Sequence, residues 1–201
     1  ERLTSVEQAI VERLKLLDVP APPGTRTVVL RPLTEEEEQQ AGAALGGGDP
    51  NELLQELNNV PVKRRDMQTL RPCEWLNDEV VNIFVELLKA RERGHPGLPR
   101  VHVCNSLFYP KLAECEGGYK YKNVSRWTNE RKVGSGGVFS KEMFIVPIHC
   151  HGNHWTLAVI HFRLKRFEYY DSLRGSADAV LKNLRRWLLD EAADKKASLQ
   201  Q

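Results

Sequence analysis

Apolar residues recur at helical spacing in three stretches of the chain and run together in short blocks between the last two. Near the start, Val6, Ile10, Leu14 and Leu17 repeat every three to four residues, which predicts an amphipathic helix. Asp18-Val19-Pro20 and Pro22-Pro23-Gly24 end it, because proline and glycine break helices. Thr34 followed by Glu35 to Glu38 reads as an N-cap with acids in the first turn of a second helix. From Asp78 onward, Val80, Phe84, Leu87 and Leu88 share one helical face with Val81 and Val85 beside it, so a buried helix is predicted. Asn77 caps it, Asp78 and Glu79 suit its positive end, and Gly94 with Pro96 stops it. Met143 to His149 is a short apolar strand in which Pro147 implies an edge or a bulge. Trp155 to Ile160 is almost wholly apolar and suits a strand covered on both faces. Phe167 to Tyr170 is close enough to pair antiparallel with it, and Val101 to Cys104 reads as a half-buried strand. Ala177, Val180, Leu181, Leu184, Trp187 and Leu188 lay out a last helix. Helices flanking a small, mainly antiparallel sheet make an α+β domain.

Composition agrees with one domain. The 201 residues (22.9 kDa) are 41% hydrophobic and 28% charged, with net charge +2. No apolar run approaches the roughly 20 residues of a membrane span, and the charged first residues hold no signal core. Charge is uneven, with 5 Lys+Arg against 11 Asp+Glu in residues 1–62 and 24 against 16 in the rest. A pI of about 8.4 without aromatic–basic interleaving gives nucleic-acid binding little support. Gly134-Ser135-Gly136-Gly137 lacks the Gly-Lys-Ser/Thr of a phosphate loop and reads as a turn. Cys73, Cys104, Cys115 and Cys150 are irregularly spaced with no CxxC pair, as expected of reduced thiols in an intracellular protein.

The candidate chemistry sits on the second hairpin. His154 precedes its first strand and Asp171 follows its second. A turn centred near Phe162–Leu164 sets residue 154 opposite a position between about 171 and 174, within reach of Asp171. A histidine beside a carboxylate at a sheet rim is the orienting half of a nucleophilic triad. Alternatively, His154 only ends a turn and Asp171 only opens one. No thiol is plainly activated. Cys150 is too near His154 in sequence, Cys104 reads as a buried hydrophobe, and acids flank Cys115. A zinc site from His149, Cys150, His151 and His154 matches no usual spacing, and Ser172 has no GxSxG around it.

Several blocks nonetheless occur together in a familiar order. They are Arg65-Asp66-Met67-Gln68-Thr69-Leu70, Trp75-Leu76-Asn77-Asp78-Glu79-Val80-Val81-Asn82 and Phe108-Tyr109-Pro110-Lys111-Leu112. Arg126-Trp127-Thr128, Val146-Pro147-Ile148-His149, His154-Trp155-Thr156-Leu157 and Tyr170-Asp171-Ser172 follow. This series closely resembles the SUMO-specific cysteine proteases, the ubiquitin-like-protease or sentrin-protease family, and so does the 17-residue step from His154 to Asp171. Pro32-Leu33-Thr34 resembles the family's entry, so residues 31–201 correspond to its catalytic domain and 1–30 to an extension.

The resemblance implies a papain-like cysteine protease architecture whose last part is missing. His154 becomes the general base and Asp171 its orienting partner. Trp75 and Trp155 would enclose a narrow tunnel for the substrate's Gly-Gly tail, which suits residues without side chains. Asp78 would meet a basic residue on the SUMO body, and Trp127 would lie nearer the substrate surface than the core. The family's nucleophile stands in Gln-x-Asn-Gly-x-Asp-Cys-Gly, whose glutamine also helps form the oxyanion hole. The 30 residues after Asp171 lack that segment, so both groups are expected outside this chain. Apolar surface near Trp155 and the last helix should then be uncovered. A monomer acting on SUMO or a related protein is implied, with no cofactor, metal, nucleic acid or membrane, and with nuclear residence. The rival is a non-catalytic module that grips a ubiquitin-like tail.

Overall fold

Thr34 and Glu37 close a reciprocal cap at the first described helix, α1 (Glu35–Leu45). Glu37 N donates to Thr34 Oγ1 (3.3 Å) and Thr34 N to Glu37 Oε2 (2.9 Å). The Arg31 guanidinium beside Glu37 lowers that carboxyl to about 2. The computed structural model describes residues 31–95, 97–150 and 152–196. The amphipathic helix expected over residues 6–17 and the breakers after it lie outside these. The chain comprises two compact units, residues 1–39 and 40–201, and the site lies in the second.

Its first elements are a hairpin absent from the strand pattern read above. β1 (Leu53–Leu57) pairs antiparallel with β2 (Val60–Lys63). Asn58 and Asn59 turn the chain at φ 52° and 62°, the left-handed pair that two-residue hairpin loops require and asparagine tolerates. The short α2 (Arg64–Met67) follows, and then α3 (Asp78–Gly94). Asn77 caps α3 as expected, its Oδ1 accepting from Val80 N at 3.1 Å.

The buried face of α3 differs from expectation. Val80 and Val85 are buried, but Phe84 is 59% and Leu87 52% exposed. The helix turns its Asn82 side inward instead. Ser106 N donates to Asn82 Oδ1 (2.9 Å), and Asn82 Nδ2 donates to Ser106 Oγ (3.1 Å). A polar residue wins the inner position because both of its amide groups find partners there.

The rest of the unit comprises β3 (Val101–Val103), α4 (Phe108–Ala113), α5 (Glu130–Val133), β4 (Met143–Cys150), β5 (His154–His161), β6 (Arg166–Tyr170) and α6 (Asp178–Asp194). The four strands form one sheet in the order β3-β4-β5-β6, antiparallel except for the parallel β3–β4 pair. β3 ends level with Ile145, so Pro147 lies where β4 has no partner on that side and a missing N–H is tolerated. Residues on alternate sides of β4 and β5 meet different surroundings. Phe144, Val146, Ile148, Ala158 and Ile160 are buried in the core with α4 and α6, while on the other side Pro147 and Val159 are buried but Ile145, Trp155 and Leu157 only half-buried. β5 is therefore more open on that second side than its apolar run predicts. The gap becomes the site.

α6 buries Val180, Leu184 and Trp187, as its periodicity predicts, and also Glu191. Tyr121 donates its hydroxyl to Glu191 Oε2 at 2.6 Å. Burial is the chief cause that raises the Glu191 carboxyl above its ordinary value of 4.5, aided by Asp194; the bond from Tyr121, the nearby Thr128 hydroxyl and the charge of Lys195 oppose it. A carboxyl whose folded pKa is raised contributes stability below its unfolded pKa and loses it as pH rises through the folded value. Glu191→Gln keeps the neutral shape, so its melting temperature should gain on the parent between pH 4 and pH 7.5. Paired melts at the two pH values measure this, and a constant difference would contradict it.

Candidate active site

The β5–β6 hairpin delivers the two residues expected of it. Its register runs from His161 opposite Arg166 to Leu157 opposite Tyr170, and continuing it sets residue 154 level with residue 173. Asp171, just past the strand, reaches back, and His154 Nε2 lies 2.6 Å from Asp171 Oδ1. The two side chains are 11% and 8% exposed. A carboxylate only accepts, so Nε2 carries the proton and Nδ1 of the neutral ring keeps the lone pair. The His154 bond, with smaller help from Leu173 N and Gly175 N (2.8 Å each), holds the Asp171 carboxyl below its usual range. The pair can thus take a proton at Nδ1 and stabilise the resulting imidazolium.

A groove of about 670 Å³ opens beside this pair. Its apolar walls are Leu76, Val81, Pro147, Trp155, Leu157 and Tyr170, and of the pair Asp171, but not His154, lines it beside Ser172. On α6, Leu189 is exposed. Trp155 is fixed from two directions. Its Nε1 donates to Leu76 O at 2.7 Å, and the His149 ring stacks on it at 4.5 Å and 16°. Leu76 is held in turn through Asn77, whose Nδ2 donates to Asp66 Oδ1 (2.9 Å), while Asp66 Oδ2 accepts from Lys63 N (2.8 Å). The two sequence blocks around Asp66 and Asn77 are thus one structural unit that presents the groove's rim.

His154, Asp171 and Trp155 come together. Trp75 adjoins Leu76 but is 64% exposed and does not line the groove. Asp78 is the first residue of α3, half-buried, where its charge favours the helix N-terminus. Trp127 is half-buried and tilted against Phe108 at 6.2 Å, so part of its ring packs on the core and the rest stays open. Leu76, Val81, Leu157 and Tyr170 carry no sequence signal that separates groove-lining from core roles. Neither do the backbone donors Leu173 and Gly175.

Cys150 lies opposite His154 in the β4–β5 ladder. Its Sγ approaches Thr156 Oγ1 at 3.4 Å, and among the described residues no thiol hydrogen-bonds the His154 ring. Cys104 is buried, and burial pushes its thiol well up. Cys115 Sγ donates to Pro110 O (3.3 Å), and Cys73 is exposed. His149 and Cys150, adjacent in β4, point to opposite faces and do not converge on one ion; His151 lies outside the described residues.

Residues 74–200 match the Ulp1 protease family, C-terminal catalytic domain. The ubiquitin-like-specific protease ESD4 of Arabidopsis thaliana is 41% identical over 167 residues, 82% of this chain and 34% of that protein. Sentrin-specific protease 2 of Homo sapiens is 38% identical over 173 residues, 86% of this chain and 28% of that protein. The chain therefore spans about a third of the length of these relatives. Among solved structures, the C-terminal Ulp1 protease domain in complex with Smt3, the yeast ortholog of SUMO, superposes with a TM-score of 0.69 at 27% identity, over 85% of this chain and 72% of that one. A Ulp1 SUMO protease with its catalytic cysteine oxidised to a sulfenic acid gives 0.67 at 27% identity, over 81% and 69%.

Proposed function

The chain belongs to the Ulp1 protease family, and from that premise we propose that it supplies the base and its orienting acid to a cysteine peptidase that cleaves after the C-terminal Gly-Gly of SUMO or a related ubiquitin-like protein. The observation that carries this reading is the 2.6 Å contact of His154 with Asp171, a carboxylate that lines an apolar groove walled by Trp155. The nucleophilic thiol and the oxyanion glutamine are assigned outside this chain.

In the reaction, His154 Nδ1 takes the thiol proton and the thiolate attacks the glycyl carbonyl. Asp171 holds the ring's other nitrogen and steadies the imidazolium. The collapsing tetrahedral intermediate expels an amine, either of a lysine in a conjugate or of a precursor tail, and the imidazolium returns its proton to that amine. Water, deprotonated by the same nitrogen, then hydrolyses the thioester and regenerates the thiol. A tail of two glycines can thread past Trp75 and Trp155 because it has no side chains. Asp78 is assigned a basic residue on the SUMO body, and the open part of Trp127 a weaker contact with the tail. Nuclear residence belongs to the same proposal, and imaging of the tagged protein reads it.

Binding and labelling test the reading on the chain itself. Titration calorimetry with SUMO should show binding that Trp75→Ala weakens about tenfold, the loss of roughly 1.4 kcal/mol of contact. SUMO bearing a C-terminal vinyl sulfone should leave Cys73, Cys104, Cys115 and Cys150 unlabelled, and labelling at Cys150 would overturn the nucleophile assignment. The coding sequence past Gln201 should contain Gln-x-Asn-Gly-x-Asp-Cys-Gly in frame. A complete protein that binds SUMO without cleaving it would be the non-catalytic module instead.

A further inference from the structure

Asp171 sits in a cradle built by the four residues that follow it. Leu173 N reaches Oδ1 and Gly175 N reaches Oδ2, each at 2.8 Å, while Arg174 N donates to Asp171 O at 3.1 Å. Oδ1 also faces His154 Nε2. Both carboxylate oxygens are therefore fixed, so the plane of the carboxylate, and with it the direction offered to the imidazole, is set by backbone amides rather than by side-chain packing.

Gly175 is what leaves room for this. A Cβ built there would lie 2.7 Å from Asp171 Oδ2 and 3.9 Å from its Cγ, and among the described residues, its two chain neighbours aside, it meets no other atom within 4 Å. The glycine is not explained by backbone freedom, because the left-handed conformation in this turn belongs to Arg174, at φ 58°. Two neighbouring positions thus separate cleanly. Residue 174 bears the conformational strain, and residue 175 bears the steric requirement.

We propose that Gly175 is a positioning residue for the His154–Asp171 pair: the missing side chain lets the Asp171 carboxylate dock on the 173 and 175 amides and aim Oδ1 at His154 Nε2. This deepens the reading of His154 as a base, and on that reading it rests. A methyl group at 175 would meet Oδ2 inside van der Waals distance, so the carboxylate must rotate or withdraw. Either movement lengthens the bond to His154 and releases the ring from its single tautomer.

Imidazole proton and nitrogen NMR of the purified chain decides this without turnover. The parent should show a low-field, exchange-protected proton on His154 Nε2. Gly175→Ala should lose that resonance, as Asp171→Asn should, while Arg174→Gly, which relieves the strain without touching the carboxylate, should keep it. An unchanged resonance in Gly175→Ala overturns the proposal. Should Gly175→Ala fail to fold, Asp171→Ala and the double variant Asp171→Ala/Gly175→Ala decide instead. Equal melting temperatures place the clash on the carboxylate, and a lower one in the double variant overturns the proposal. In the complete protease, Gly175→Ala should lower kcat about 10- to 100-fold with KM unchanged, the scale of a misplaced catalytic group. A complete protein that cleaves no SUMO refutes the functional reading but leaves the resonance result standing. Active enzyme with an unchanged resonance refutes only the role of Gly175.

Discussion

In the complete protein, His154→Ala is expected to cut SUMO cleavage by about 10³-fold or more while SUMO binding stays within about twofold. The variant removes the proposed base, whose side chain is not among those lining the groove, and leaves the Leu76–Trp155 bond in place. Asp171→Asn should cost about 10²-fold or more for a different reason. An asparagine amide can rotate to donate to Nε2, which would move the ring proton to Nδ1 and leave no lone pair facing the thiol. Steady-state cleavage of a fluorogenic SUMO substrate, read beside calorimetric binding, separates the two effects. If His154→Ala kept a tenth of the parent kcat, another base would operate and the assignment would be wrong. Loss of binding in step with loss of rate would instead give His154 a role in holding the tail.

Trp187→Ala should produce the largest loss of stability, about 3–5 kcal/mol in urea unfolding. The Trp187 side chain is fully buried. Its ring stacks on Phe144 at 4.4 Å and 19° and stands edge-on to Phe108 at 5.6 Å and 86°, so it joins α6 to both the sheet and α4. Truncation removes these contacts together and leaves a cavity that three rigid elements cannot collapse to fill. Trp187→Phe should cost less, about 1–2 kcal/mol, partly because Nε1 of Trp187 has no hydrogen-bond partner among the described residues and its removal relieves an unsatisfied donor. A Trp187→Ala cost below about 1 kcal/mol would mean that α6 packs less rigidly than the ring geometry implies.

Different features of the chain were legible to different degrees, each for a physical reason. The cap and length of α3 were readable because Asn77, the acids after it and Gly94 act within one or two turns of their own positions. Its buried face was misread. Periodicity assigns the core to the more apolar side, whereas Asn82 faces inward because Ser106, twenty-four residues away, satisfies its amide. The β1–β2 hairpin is barely legible because its five- and four-residue strands carry little alternation, and only the Asn58-Asn59 turn marks it. The packing of Trp127 on Phe108 has no local signal, because the Phe108 ring belongs to a helix nearly twenty residues earlier. The thiols kept the roles read for them where local surroundings decide, as in buried Cys104.

The sequence by itself determined the α+β class, the hairpin that opposes His154 to Asp171, and the family, since each depends on residue order, short-range spacing or strand register. Tertiary structure alone decided that the blocks around Asp66 and Asn77 form one rim, that Leu76 holds Trp155, and that Gly175 must lack a Cβ. These facts rest on contacts between segments whose separation in sequence carries no period. A hydrogen bond spanning 79 residues, such as Trp155 to Leu76, leaves no local trace in either segment. Even over four residues, the distance from Gly175 to the Asp171 carboxylate depends on the left-handed turn at Arg174, a backbone state that the arginine side chain does not announce.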